Sequence, residues 1–415
     1  MRSPYVVCVD TGSTFTKAAA VTVGDSDAGR LLAGCAVPTT VGAGRDVLTG
    51  LDAAVAEVVA RAGGRPEGVR VCSSAGGGLR LAVVGYERAV TAEAGTRVGL
   101  SAGARVVHVA TGPLDLRSVQ TLKAASPDVV LLVGGTDGGD SDVLRHNGSW
   151  LAARGPRVPY VLAGNADVRD EVTEVLSQRG RTVVACANVL PRIGVLDPMP
   201  ARTAIREVFV RHVIGGKAIS RGPRFASLVH GATPDLVLAG VEVLADADPA
   251  GGDVLLVDVG GATTDIYSAL RPDADPAPRE VVEVLWRGRT VEGDLGMRWG
   301  AVGVVEAAVT EKLLDQPGPL LRAATARHAD VGFLPATDAE RDADAELARL
   351  AVTVALRRHA RPVRTADGRA SGRDLSRVGT VVASGGVFRH ASPDRLRHML
   401  DPVLTDHGGG WRLPA

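Results

Sequence analysis

Residues 254–268 read VLLVDVGGATTDIYS. An apolar run, Val254 to Val257, ends at Asp258. Gly260 and Gly261 make a tight turn, and a second run, Ala262 to Ser268, carries Asp265. The pattern predicts a buried strand, a Gly-rich turn and a returning strand. Glycine at the turn lets backbone N–H groups approach an anion with no Cβ in the way. Thr263 and Thr264 add hydroxyls. Asp258 stands where the strand emerges, a position from which a carboxylate holds a water-coated Mg²⁺. Taken alone, the same text is equally a plain structural hairpin. A second copy shifts the balance. Residues 5–17, YVVCVDTGSTFTK, place Asp10 at the end of an apolar strand, with a Gly12 turn and Ser/Thr-rich sequence running into Ala18–Val21. Two strand–Asp–Gly–Thr hairpins predict a duplicated α/β fold with a nucleotide between its halves.

The chain has 415 residues, 45% hydrophobic and 23% charged. That supports a large core and exceeds one ordinary domain, so two or three domains are expected. Formal net charge is zero, which speaks against nucleic acid as a main partner. Aromatics are 3% of the chain and do not interleave with basic residues. Lysine occurs only at positions 17, 123, 217 and 312, an arginine bias that fits high-GC coding. Cys8, Cys35, Cys72 and Cys186 show no CxxC spacing and read as small buried hydrophobes in a reducing cytosol. The nine histidines show no HExxH spacing. No apolar run reaches membrane-span length, and the N-terminus enters a strand without a signal-peptide pattern. A cytoplasmic chain with no membrane partner is expected.

Along the chain, Leu31–Val37 predicts a third strand beside the first hairpin. Arg45–Ala62 predicts an amphipathic helix with Val47, Leu48, Leu51, Val55, Val58 and Val59 on one face. Val69–Cys72 is a short strand entering the loop Ser73–Gly78, which reads as a ligand or subunit contact or as a simple turn. From about Ala104 the texture becomes β/α alternation. Strands are expected at Val106–Ala110, Val129–Val133, Val158–Ala163 and Thr182–Ala185. Helices are expected at Asp115–Ala125, Asp142–Arg154 and Asp167–Arg179, the last with Asp167 as N-cap and Gly180 as stop. Continuous apolar strands imply a parallel sheet covered on both faces. This is an inserted α/β domain at about 100–190. Its Gly-rich strand ends sit where such sheets bind ligands, although turns fitted to the fold explain them as well. Helices follow at Arg202–Ile214 and Pro234–Asp246. After the central hairpin come a polar loop, Pro272–Pro278, and a strand, Val281–Trp286. Residues 290–300 are a polar, Gly-rich stretch before a helix at Val302–Leu314. Residues 338–350 read as a solvated helix face continued by Leu347–Arg358. Gly379–Ser384 is a strand ending in Gly385-Gly386-Val387-Phe388, and His407–Ala415 reads as a mobile tail.

Conventional phosphate motifs are absent. Gly215-Gly216-Lys217-Ala218 lacks both the leading Gly and the Ser/Thr of GxxxxGKS/T, and no convincing GxGxxG follows a strand. The three strand-end Gly motifs, at 10–17, 258–265 and 384–388, resemble in order and separation the actin/Hsp70/sugar-kinase ATPase superfamily. At finer grain, DTGSTFTK, SSAGGGLR, LLVGGTDGGD, VLAGN, LLVDVGGATTDIYS and RTVEGDLGMRWG resemble the MutL (GlmL) family associated with glutamate mutase. These stretches span almost the whole chain.

The resemblance implies a duplicated actin-like (RNase H-like) α/β fold with two lobes around a nucleotide cleft. Residues 1–99 and 191–249 would form the first lobe, 100–190 the insertion, and 250–415 the second lobe. It implies ATP and Mg²⁺ as cofactors, and a chaperone or reactivating role, with ATP hydrolysis, toward an adenosylcobalamin-dependent mutase of the glutamate mutase or aminomutase type. The alternatives in the same superfamily are a small-molecule phosphotransferase and a non-hydrolysing, nucleotide-bound adaptor. Whether copies of the chain associate stays open. Carried residue by residue, Asp10 and Asp258 would position Mg²⁺ through water and, with Asp265, form the catalytic set. Thr11, Gly12, Ser13 and Thr14 would wrap the terminal phosphates from one side, and Gly260, Gly261, Ala262 and Thr263 from the other. Gly385 and Gly386 would let the backbone pass beneath the adenosine. Lys17 would either neutralise phosphate charge or point to solvent. Asp265 would orient the attacking water or cap the turn, with the cap preferred. Glu292 and Asp294 would touch ligand or steer the following helix, with the structural role preferred.

Overall fold

The computed structural model describes residues 3–12, 14–24, 27–40, 44–74, 79–87, 90–102, 104–214, 219–247, 252–271, 287–361, 363–364, 370–371 and 373–406. Ser13, the 75–78 part of the Gly loop, the 215–218 stretch, 248–251, the loop and strand expected at 272–286, and the tail from 407 lie outside them. The chain divides into two compact units, one built on Met1–Val237 and the other on Leu238–Ala277 and Val284–Ala415.

In the first unit, β1 (Tyr5–Thr11), β2 (Phe15–Thr22) and β3 (Leu31–Pro38) form an antiparallel meander, and β4 (Gly68–Ser73) lies parallel to β1. The side chains of β1 alternate, with Tyr5, Val7 and Val9 buried and Cys8 exposed. The buried face meets the helix Val47–Ala62. Asp46 caps that helix by accepting from the Leu48 N–H, and Val47, Leu51, Ala54 and Val58 supply its buried stripe. Gly63, at φ 72°, ends it.

The chain then builds a second sheet: β5 (Arg80–Gly85), β6 (Arg105–Thr111), β7 (Val129–Leu132), β8 (Tyr160–Leu162) and β9 (Val183–Ala185). All pairs are parallel, in the order β6-β5-β7-β8-β9. Leu81–Val84 and Val129–Leu132 are buried throughout, as in a sheet covered on both faces. This sheet starts earlier than the expected boundary at 100, because β5 is one of its inner strands. The helix Thr91–Ser101 that follows β5 carries Gly95 and Gly99, poor helix formers that hide it in the sequence. They are required by packing: a Cβ at Gly99 would sit 2.4 Å from Leu81, and one at Gly95 2.8 Å from Val83. A second correction concerns the helix near 167. Its N-cap is Asn165, whose side chain accepts from the Asp167 N–H, whereas Asp167 accepts from the Gly138 N–H at 3.1 Å. Gly180, at φ 69°, follows the helix Arg169–Gln178. After the helix Met199–Val208 and a π-helical turn, β10 (Val229–Ala232) pairs with β4, giving β10-β4-β1-β2-β3.

In the second unit β11 (Asp253–Val259), β12 (Thr264–Ala269) and β13 (Arg287–Glu292) form an antiparallel meander. A minor ribbon pairs β14 (Val363–Arg364) with β15 (Ala370–Ser371), and β16 (Val378–Ser384) runs parallel to β11. The order β13-β12-β11-β16 repeats β3-β2-β1-β4 with the same strand directions. This is the duplicated actin-like α/β fold. Leu255, Val257 and Ile266 pack with Val304 of the helix Ala301–Thr310 and Leu350 and Leu356 of the helix Asp338–Ala360. A capping box at Thr337 and Glu340 starts the long helix. Its charged first half is not merely a solvated face: Asp344 is buried and pairs with the buried Arg327.

Candidate functional site

The two hairpins share one geometry. Gly12 N–H donates to Phe15 O at 3.1 Å, and Gly260 N–H donates to Thr263 O at 2.9 Å. Each turn thus closes two residues after its aspartate. Across the ladder Asp10 pairs with Lys17, and Asp258 with Asp265. On the other side Asp10 neighbours Cys72, and Asp258 neighbours Ser384. Cys72, near the end of β4, is therefore the first unit's counterpart of Ser384.

In the first hairpin, the Asp10 carboxylate is braced. Thr233 Oγ1 donates to it at 2.7 Å, Cys72 Sγ lies at 3.6 Å, and Lys17 Nζ sits 3.8 Å away. Burial and the Asp10 charge push the Cys72 thiol up to about 12, so it stays a thiol. Thr11 is buried and donates to Cys72 O at 2.9 Å, so its hydroxyl is spent inside the fold. Gly12 is required by the turn, since a Cβ there would lie 2.9 Å from Phe15 O. Thr14 O accepts the Thr39 N–H. The four cysteines depart from the buried reading: Cys8 is exposed on β1, Cys35, Cys72 and Cys186 are only partly buried, and all four are free thiols.

In the second hairpin, the turn carbonyls face a neighbouring loop. Gly260 O accepts from Met297 N–H, and Gly261 O accepts from Arg298 and Trp299 N–H at 2.8 and 2.9 Å. The N–H groups of Gly261, Ala262 and Thr263 donate to no described group. A turn with its carbonyls engaged and successive N–H groups free is suited to an anion. Asp258 is half-buried, and its carboxylate makes no hydrogen bond or ion pair with a described residue. Asp265 differs. It is buried, accepts from Arg289 Nη2 at 2.9 Å, and takes the Thr263 hydroxyl at 3.3 Å. Burial raises its pKa, opposed by Arg289 and reinforced by the Asp258 charge. Arg289 also lies over the Tyr267 ring at 5.4 Å.

The third turn adjoins this hairpin. Gly385 has φ 126°, and a Cβ there would lie 2.3 Å from Val259 O. Gly386 is exposed, and a Cβ there would meet nothing within 4 Å. Asp258, the 260–263 turn and Gly385-Gly386 are thus adjacent in one unit. Glu292 and Asp294 belong to the frame: both pair with Arg358, at 2.7 and 2.8 Å. Reading the sequence missed Arg289, Thr233 and Arg358. Arg289 carried no signal, since the strand was expected at 281–286 and β13 runs from Arg287 to Glu292.

The free carboxylate, the open N–H groups and the exposed glycine fit a phosphate with a cation. Among the described residues no three His, Cys, Asp or Glu side chains converge to cage a metal. A Mg²⁺ held by one or two carboxylates through water and phosphate needs no such cage.

Fold and hairpins together define a protein of the actin-like fold class. The chain belongs to the MutL protein family, whose model matches residues 6–415. It is 34% identical over 403 residues to Protein MutL of Clostridium tetanomorphum, covering 92% of this chain and 86% of the relative. Among solved structures, nucleotide-free acetone carboxylase aligns at 14% identity and TM-score 0.35, over 86% of this chain and 62% of that one. A glycerol dehydratase reactivase aligns at 10% identity and TM-score 0.27, over 89% and 80%. Xylulose kinase from Bifidobacterium adolescentis gives 11% and TM-score 0.27, over 95% and 87%. No helix among the described residues is long and apolar enough to cross a membrane.

Proposed function

We propose that this chain binds ATP with Mg²⁺ through its hairpins and acts as an ATP-dependent reactivating factor or chaperone for an adenosylcobalamin-dependent mutase of the glutamate mutase or aminomutase type. The observation that carries the nucleotide part is the pairing of the unpartnered Asp258 with the free N–H groups of Gly261, Ala262 and Thr263. Membership of the MutL family supports the mutase part.

In this reading the turn N–H groups would bind phosphate oxygens and Asp258 would hold the hydrated cation, and Asp10 is the matching carboxylate of the first unit's own hairpin. Bound Mg²⁺ supplies charge neutralisation on the transferred phosphoryl group. Preformed N–H donors aimed at developing charge are effective because they need no reorganisation. Arg289 fixes Asp265 at the edge of this site, where its carboxylate orients water or holds the turn. Gly386 offers bare backbone for the adenosine.

The test is Asp258→Asn. ATP hydrolysis should fall by roughly 100-fold or more, with the circular dichroism spectrum unchanged. Adding a cobalamin-dependent mutase should stimulate the unmodified protein. Trp299 is 56% exposed and bonded through its N–H to Gly261, so its fluorescence should report ATP binding. Undiminished turnover in Asp258→Asn would remove the site. Phosphate transfer to a metabolite would replace the reactivase by a phosphotransferase. Absence of calorimetric MgATP binding would end the whole reading.

A further inference from the structure

The inserted sheet has a second feature at the end opposite its Gly-rich loops. Two contiguous grooves, of about 520 and 380 Å³, lie beside the starts of β8 and β9. Their charged lining is entirely basic: Lys123, Arg154, Arg157, Arg179 and Arg181, with His212 beside them. Part of this has a structural account. Arg181 donates to Ala152 O and Gly155 O at 3.1 and 3.3 Å, and so serves the carbonyls at a helix end. Lys123, Arg157 and Arg179 are different. They are exposed and form no ion pair or side-chain hydrogen bond with a described residue.

The groove residue Arg154 belongs to an aromatic-cation stack on the adjoining helix. Arg154 lies 5.0 Å above Trp150, and Trp150 stacks with His146 at 6.0 Å. The three sit four residues apart along the helix Asp142–Arg154, so they share one side of it. Tryptophan and arginine are the residue types that dominate binding energy at protein interfaces. A binding track for single-stranded nucleic acid needs a series of open aromatic faces, whereas the one indole on this helix has Arg154 over its ring. A small anion would be held by convergent donors in an enclosed site, whereas these cations are spread along open grooves.

We propose that these grooves dock an acidic segment of a partner protein, its carboxylates on Lys123, Arg157 and Arg179. The choice of a protein as occupant rests on the partner role proposed above; the basic lining does not depend on it.

The experiment uses the full chain and a fluorescein-labelled peptide of repeating Glu-Ala-Glu, followed by anisotropy at low and physiological salt. Arg157→Glu/Arg179→Glu is compared with Arg117→Glu/Arg322→Glu, an exposed pair elsewhere that changes net charge equally. The groove variant should bind roughly tenfold more weakly or worse, and the control should bind as the unmodified protein does. If the groove variant melts early, Arg157→Gln/Arg179→Gln takes its place. Equal loss in the control, no peptide binding, or displacement of the peptide by less pyrophosphate or single-stranded oligonucleotide than peptide would each overturn the proposal. ATP turnover of the same variants separates the two ideas. No peptide binding by the unmodified protein with intact turnover removes only the groove. Intact docking alongside failed MgATP binding removes only the nucleotide site.

Discussion

Two aspartates face each other across one hairpin and have opposite environments. Asp265 is buried against Arg289, whereas the Asp258 carboxylate meets no partner among the described residues. The spacing of the text allowed both to be nominated, but a one-dimensional reading cannot tell a braced carboxylate from an open one. Arg289, distant by 24 positions, makes the difference. A comparable case lies on the back of the sheet. His359 is buried between Thr290 and Ser268, each 2.9 Å from a ring nitrogen, and burial holds its pKa well below the ordinary 6.5. The folded chain therefore refuses a proton that the unfolded chain accepts. The stability at stake is fully present above about pH 6.5 and is lost progressively as pH falls from there through the lower folded value. The loss should approach about 1.4 kcal/mol per pH unit. His359→Gln should flatten this part of the pH profile in urea unfolding. An unchanged profile would show that His359 does not govern it.

At the scale of elements, the phosphate-loop candidate is held by a loop that the sequence marked as distinctive without saying why. RTVEGDLGMRWG packs glycines against the turn. A Cβ at Gly296 would lie 2.5 Å from the Ala262 carbonyl carbon, and one at Gly300 3.1 Å from Ala262 O. The turn and this loop form one unit, which fixes where the free N–H groups point. Gly296→Ala should therefore destabilise the protein by roughly 1–3 kcal/mol and weaken ATP binding together with it. Gly386→Ala, with open space around it, should leave stability within about 0.5 kcal/mol. Chemical denaturation of the two variants checks the contrast, and equal stability would show that the loop does not brace the turn. Strands flanked by clear apolar runs were legible beforehand. The helix Thr91–Ser101 was not, because its glycines serve packing on β5 at the expense of helix propensity.

At the scale of the molecule, the chain holds separate cores. One, behind β11–β13, gathers Val304, Leu350 and Leu356, and another fills the inserted sheet with Leu132, Leu144 and Leu162. Chains with several cores commonly depart from two-state unfolding. Calorimetry should resolve more than one transition. Val304→Ala, which removes two buried methyl groups, should lower one transition by an amount equivalent to roughly 2 kcal/mol and leave the others in place. A single transition that moves as a whole would show that the cores unfold together.

The sequence by itself determined the duplicated hairpins, the inserted β/α alternation and the family. Each of these is written locally, in apolar runs, turn glycines and short motifs that need no distant partner to be read. Only the tertiary structure decided where the inserted sheet begins, that Asp265 is locked while Asp258 is open, and that three turn N–H groups face away from their bonded carbonyls. It also gathered the basic grooves from four separate segments. Such properties depend on residues far apart in the chain, and burial, pairing and charge environment exist only once those residues meet.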